Sequence, residues 1–352
     1  MIRAQRSHSE FGIWPVGWRH VDTHKDRAAT VGLSALVGPK QPMPLVSMSK
    51  LLTDAKLGGY AVCYCEAWNL ESFQAVVEAA EEESSPTIAG FGGGFLMHPW
   101  RMRAENLAYY AGLGLALEKA RIPAAFLLNE TPSLAQIEEG ISLGFNAVMV
   151  ENEGLDPTEY RTLVKRVVAM VHSRGISVEA QVGRLATASA DGDAELTTPE
   201  VARAFVEETG IDALAVAVGN IHLLTKGKAR LDLEALAKIG RAVPVPLVLH
   251  GGSGIPLEVA EYCTRLGVAK VNFGTVLKQA YLAAVREKLP KYREPMNPHP
   301  FLGMGGQDDI LVAAKDAVKL KVKELLRAFG SAGKAAIDSP PQNAGRQGNA
   351  KS

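Results

Sequence analysis

The chain has 352 residues, 47% of them apolar, enough for one large domain or two ordinary ones with a sizeable core. Lys plus Arg and Asp plus Glu each number 38, so the formal net charge is +0, and no basic run with interleaved aromatics occurs; a dedicated nucleic-acid or anionic-membrane binder is excluded. No apolar run approaches a membrane span, and the N-terminal stretch has no continuous apolar segment of the signal-peptide kind, so a cytoplasmic location is expected.

Residues 1–42 read as an irregular N-terminal extension rich in Gly, Pro and His, and Met43 opens the first orderly segment. An extra N-terminal helix is predicted at 47–57. From there short β-branched or small-apolar runs alternate with longer amphipathic ones. Strands are predicted at 60–65, 86–91, 124–128, 147–150, 177–182, 213–218, 246–250 and 269–273. Helices are predicted at 70–84, 104–119, 133–143, 157–174, 199–209, 233–242, 256–266 and 275–288. Asp156-Pro157 and Thr198-Pro199 each put a capping side chain before a proline at the first helical position. A last amphipathic segment, 309–329, is expected to pack on the outside or on a second subunit. Residues 336–352 have the composition of a disordered tail.

Cys63, Cys65 and Cys263 show no disulfide spacing, which fits a reducing compartment. Cys63 and Cys65 are expected on opposite faces of one strand, as small buried residues rather than a redox or zinc pair. Eight strands alternating with eight helices predict a parallel α/β fold, closed as a (β/α)8 TIM barrel with an extra N-terminal helix and a C-terminal helical extension. Residues 43–335 make up that barrel.

Chemistry in such barrels sits at the C-terminal strand ends. Here those ends carry Glu66, the Gly run 92–94, Asn129-Glu130, Glu151 with Glu153, Gln181, Asn220 with His222, HGGSG at 250–254 and NFGT at 272–275. A lone His is more often structural than a ligand. Two that end consecutive strands, His222 and His250, point to a shared divalent metal, with Glu130 the nearest third donor in kind. Zinc is the first expectation, with manganese or magnesium as alternatives. The glycines of HGGSG and NFGT let backbone N–H groups approach an anion at a helix start, the frequent phosphate site of this fold; the alternative is a pair of tight turns. Lys226 could add a cation there; otherwise it is a surface lysine.

These strings, with MPLVSMSKLLTDAKLGGYAV, GISVEAQVGRL, FVEETGIDALAVAVGNIH, PLVLHGGSGIP, GVAKVNFGT and FGSAGKA, resemble the class II, metal-dependent ketose-bisphosphate aldolases from Met43 to about Ala335. The resemblance implies a lyase in which zinc polarises a ketose-phosphate carbonyl and stabilises an enediolate. It implies that His222 and His250 are metal ligands, that Gly251, Gly252, Ser253, Asn272, Gly274 and Thr275 line the phosphate loops, and that Lys226 matches a family lysine. It also implies a homodimer or homotetramer acting on a phosphorylated small molecule.

Several positions depart from the family pattern. Asn129 and Glu130 stand where the family has a proton-donating aspartate and a third zinc histidine. Glu151 and Gln181 replace an alternative-site aspartate and glutamate. Glu66 replaces an asparagine, Gly92 a serine, Leu223 a glycine, and Gly274 an acidic or amide residue. Ser189 aligns with the catalytic glutamate of the loop after the fifth strand, where the candidate replacements are Asp191, Asp193 and Glu195. Asn129 cannot supply a titrating proton, so Glu66, Glu151 or Gln181 enter as candidate catalytic groups beside it. The expected function is a metal-dependent aldolase-like lyase on a phosphorylated sugar or related compound other than fructose 1,6-bisphosphate. The alternatives are a metal-dependent isomerase or epimerase, and a non-catalytic sugar-phosphate-binding or partner subunit.

Overall fold

The structure, a computed structural model, describes residues 45–152, 154–187 and 195–335. The expected N-terminal extension, the tail, Met43, Glu153, Ser189, Asp191 and Asp193 lie outside the described residues.

Ten strands are assigned in chain order: β1 Val62–Ala67, β2 Thr87–Gly92, β3 Ala124–Thr131, β4 Ala147–Val150, β5 Ser177–Val182, β6 Ala186–Thr187, β7 Ala213–Val216, β8 Ile221–His222, β9 Leu247–Leu249 and β10 Val268–Phe273. Eight of them close a parallel barrel in the order β1-β10-β9-β7-β5-β4-β3-β2, and the short β6 and β8 pair with each other above its rim. The closed (β/α)8 barrel is therefore as the alternating pattern predicts. Continuous burial along the strands follows from it, because one face meets the helices and the other fills the barrel.

Helix Met48–Gly58 begins at Ser47, whose hydroxyl accepts from the Lys50 N–H. It turns Met48, Leu51, Leu52 and Ala55 into the barrel floor, where they pack with Val62, Tyr64, Leu127, Met149 and Val248. The helix therefore plugs the bottom and leaves chemistry to the top. Cys63 and Cys65 do not face opposite sides: both join the layer between strands and helices. Residues two apart in a strand share a face, so Tyr64 and Glu66 are the pair that points inward.

The C-terminal helix Ile310–Ala328 lies against two helices, Leu70–Glu82 and Thr275–Lys288, and buries Ala314, Val318, Val322, Leu325 and Leu326. A ladder of Lys315 and Lys319 on Glu78, Lys323 on Glu82 and Arg327 on Glu83 flanks it at 2.6–3.3 Å. The ladder is largely solvated and sets register more than stability. The helix packs on the outside of its own barrel. Among the described residues no helix is long and apolar enough to cross a membrane.

Candidate active site

The end of β3 carries the first unusual geometry. Strand alternation would send Asn129 and Glu130 to opposite sides. Instead the β3–β4 register breaks between Leu128 and Thr131, and Glu130 takes a left-handed φ of +48°. Both side chains therefore line one cavity at the barrel mouth. A non-glycine residue in that conformation costs about 1–2 kcal/mol, a strain usually kept at functional sites. Leu223, after His222, has φ +55° and so keeps the glycine-type backbone of the position it occupies.

Glu130 Oε1 lies 3.1 Å from His250 Nδ1 and 3.6 Å from His222 Nε2. Four-coordinate zinc, with bonds of about 2.0–2.2 Å, spaces neighbouring ligand atoms roughly 3.3 Å apart. Glu130 is therefore within about ligand spacing of each histidine. Among the described residues no group of three or more His, Cys, Asp or Glu side chains is placed to hold a metal ion as it stands, so binding one requires Glu130 and the two histidines to move apart.

The opposite nitrogen, His250 Nε2, lies 2.9 Å from Glu179 Oε1, the arrangement in which a carboxylate orients a metal-binding imidazole. Asn272 Nδ2 approaches the same nitrogen at 3.0 Å, while its Oδ1 accepts from Lys270 Nζ at 2.7 Å. Lys270 also pairs with Glu179 Oε2 at 2.8 Å, both fully buried. His222 sits on β8, held by pairing of Thr187 with it. Asn220 positions the other histidine by donating to the His250 carbonyl at 3.0 Å.

The electrostatics follow from burial opposed by charge. Burial alone would lower His250, but the hydrogen bonds and charges of Glu130 and Glu179 raise it to about 9. Burial would raise Glu130, but His250, His222 and Lys270 bring it down to about 2. Burial also pushes Glu179 up, and Lys270 and His250 outweigh it, holding that carboxyl below its usual range.

Glu179 and Lys270 are absent from the residues chosen by sequence. The sequence does carry a signal for them: each is a charged residue in mid-strand, with apolar residues on either side, and such a residue must find a buried partner.

In the two loops expected to bind phosphate, close backbone contacts require glycine. Gly251 has φ +69°, and a Cβ there would fall 2.2 Å from the Ile221 carbonyl oxygen. Gly252 is wedged between Asn272 O and Phe273, each 2.7 Å from a built Cβ. Ser253 Oγ accepts from the Val276 N–H at 3.0 Å and caps helix Thr275–Lys288, whose own N-cap Gly274 has no side chain to do so. We expect Gly251→Ala to cost about 3 kcal/mol, from left-handed strain and overpacking, and to move His222 through Ile221. Denaturant unfolding checks the first effect and zinc affinity the second.

Gly251, Ser253, Asn272, Gly274 and Thr275 line the cavity of about 220 Å³ that also holds Asn129, Glu130, His222, His250, Tyr64 and Glu66. Tyr64 Oη and Asn129 Oδ1 are buried in it without a hydrogen-bond partner, as groups awaiting a polar ligand would be. Other expected residues are elsewhere. Lys226 is exposed and off the lining. Glu151 Oε1 accepts from the Asn152 N–H at 2.8 Å, and Gln181 Nε2 donates to the Gly183 carbonyl at 3.3 Å; neither lines the cavity. Glu195 is exposed, its backbone paired with Arg184.

A family model described as "Fructose-bisphosphate aldolase class-II" matches residues 46–334. The chain belongs to the class II fructose-bisphosphate aldolase family. That membership makes it an aldolase-type lyase. A fructose-bisphosphate aldolase of Thermus caldophilus is 36% identical over 319 residues, covering 83% of this chain and 100% of the relative. One from Staphylococcus aureus strain Mu50 is 35% identical over 297 residues with the same coverage. The YdjI aldolase of Escherichia coli K12 superposes with TM-score 0.68 at 31% identity, over 83% of this chain and 100% of that one. The positions read above as departures from the family pattern lie at strand ends and loops, and Glu66, at the end of β1, is one of them. A Cβ at Gly92 would lie 3.3 Å from Glu66 Oε2, tighter than ordinary contact, so that glycine leaves room for the longer acid. Lys278, missed by sequence, answers its charge at 2.6 Å from the first turn of the following helix.

Proposed function

We propose that the protein is a metal-dependent aldolase cleaving a ketose phosphate or related compound other than fructose 1,6-bisphosphate. The observation that carries this is the convergence of His222, His250 and Glu130 beside the phosphate loops. A divalent ion, zinc first, held by those three side chains would supply Lewis acidity toward the substrate carbonyl. Glu179 holds the His250 ring so that Nδ1 faces the other two donors.

The remaining steps belong to the chain itself. The helix start at Thr275, with Ser253 and the backbone of Gly274, receives the phosphate. Tyr64 and Asn129 offer their unpartnered polar atoms to substrate hydroxyls. Glu66 replaces the missing acid. Burial lifts its carboxyl above the usual range, Lys278 opposing and Glu130 adding to the rise, and a stronger base results. In cleavage Glu66 takes the proton of the hydroxyl on carbon 4. The O–H electron pair becomes the new carbonyl bond, the carbon 3–carbon 4 bond breaks, and its pair stays on carbon 3. Carbon 3 then takes up a proton, and Glu195, Asp191 and Asp193 of the loop after the fifth strand are the acids whose substitution tests its source. A homodimer or homotetramer in the cytoplasm is the assembly we assign by family resemblance, checked by light scattering.

The test is metal-restored protein incubated with ketose 1-phosphates. Dihydroxyacetone phosphate should form and its formation should stop on chelation. Solvent-proton exchange into the substrate without cleavage would favour an isomerase instead. Neither reaction with metal restored would overturn the proposal.

A further inference from the structure

A second cavity of about 420 Å³ opens beside the first and shares Glu66, Phe95 and Lys278 with it. Its walls are aromatic: Trp68, Phe91, Phe95, His98 and Trp100. Trp68 is fixed edge-on against Tyr281 at 5.6 Å, and the His98 ring lies 5.0 Å from that of Trp100.

Among the described residues two Lys or Arg side chains, Lys278 and Arg101, reach this cavity, and both are occupied. Lys278 Nζ is on Glu66 Oε1 at 2.6 Å and lies 4.4 Å from the Phe95 ring centroid. Arg101 pairs with Glu105 and donates through Nε to the Phe95 carbonyl at 2.6 Å. The remaining charge on the shared wall is the buried carboxylate of Glu66. The contrast with the first cavity is chemical. There a 14-residue helix presents its N-terminus with no acidic residue in the first turn.

We infer that the second cavity receives the part of the substrate released as aldehyde, and that this part is uncharged, so the substrate class is a ketose 1-phosphate without a second phosphate. The inference rests on the proposed function, because it takes the phosphate end to be at Thr275. The order along the site is then phosphate loop, donor trio, Glu66, aromatic cavity, which puts the cleaved bond at the wall the two cavities share. A phosphate dianion at the far end would meet Glu66 with no free Lys or Arg among the described residues of the lining to answer it. A neutral chain would instead lay its carbons on the rings.

The test uses full-length protein and calorimetric binding of compounds that cannot be cleaved. Hexitol 1-phosphate and hexitol 1,6-bisphosphate lack the carbonyl, and dihydroxyacetone phosphate, which has no aldehyde part, reports the first cavity alone. We expect the monophosphate to bind about tenfold or more tighter than the bisphosphate, and Glu66→Gln, which releases Lys278, to close most of that gap. Trp68→Ala should weaken hexitol 1-phosphate about fivefold or more and leave dihydroxyacetone phosphate unchanged. Equal or tighter binding of the bisphosphate by the unaltered protein, with dihydroxyacetone phosphate bound, overturns this inference alone. Equal loss of all three ligands in the Trp68 variant also overturns it, since the ring then acts structurally. Failure of dihydroxyacetone phosphate to bind the unaltered protein overturns the proposed function together with the inference.

Discussion

Glu66→Gln is expected to lower kcat for ketose 1-phosphate cleavage by about 10²–10⁴-fold, the usual worth of a positioned proton carrier. The amide has nearly the same shape, so KM for the monophosphate should change little and the fold should survive. The pH dependence separates this role from a merely structural one. Glu66 must be ionised to accept the hydroxyl proton, and burial with Glu130 nearby raises its pKa. Activity of the unaltered protein should therefore fall as pH drops through a value above the ordinary glutamate figure of about 4.3. The acid limb should vanish from the residual activity of the Gln variant. A variant with unchanged kcat would return the proton-carrier role to the other strand-end acids.

The second large effect is on stability. Glu179 and Lys270 form a fully buried pair at 2.8 Å, cross-linked to His250 and Asn272. Glu179→Ala strands the Lys270 ammonium inside the barrel and should cost about 3–5 kcal/mol in denaturant unfolding. It also removes the carboxylate that orients His250, so metal affinity should drop by about 10–100-fold. Removing both charges tests the cause. A Glu179→Leu, Lys270→Met double variant should recover most of the stability and none of the metal affinity. If the double variant were as unstable as the single one, lost packing rather than an unpaired charge would be responsible.

The barrel is legible in the sequence because its signal is repetitive. Helices Pro199–Thr209, Leu233–Ala242 and Thr275–Lys288 begin and end where periodicity and capping place them. Strand ends are less legible. The third strand, expected to stop at residue 128, runs on to Thr131, because the left-handed turn at Glu130 lets pairing continue past the register break. A dihedral of that kind leaves no mark in residue type; glycine would have signalled it, but the chain uses glutamate. The same break explains why two adjacent polar residues face one cavity, which alternation alone forbids. The site was legible where residue type fixes chemistry, at His222, His250 and the glycine loops. It was not legible where partners come from distant strands. Glu179 and Lys270 are 91 positions apart in the chain and meet only because β5 and β10 both face the barrel interior. Glu151 and Gln181, chosen by alignment position, instead satisfy nearby backbone groups.

Anomalous diffraction from crystals of the full chain grown with zinc tests the central claim most directly. The account predicts a single strong site bonded to His222, His250 and Glu130, with Glu179 hydrogen-bonded to the far nitrogen of His250. Zinc bound elsewhere, or no zinc at the mouth of the barrel while Glu130 stays against His250, would contradict it.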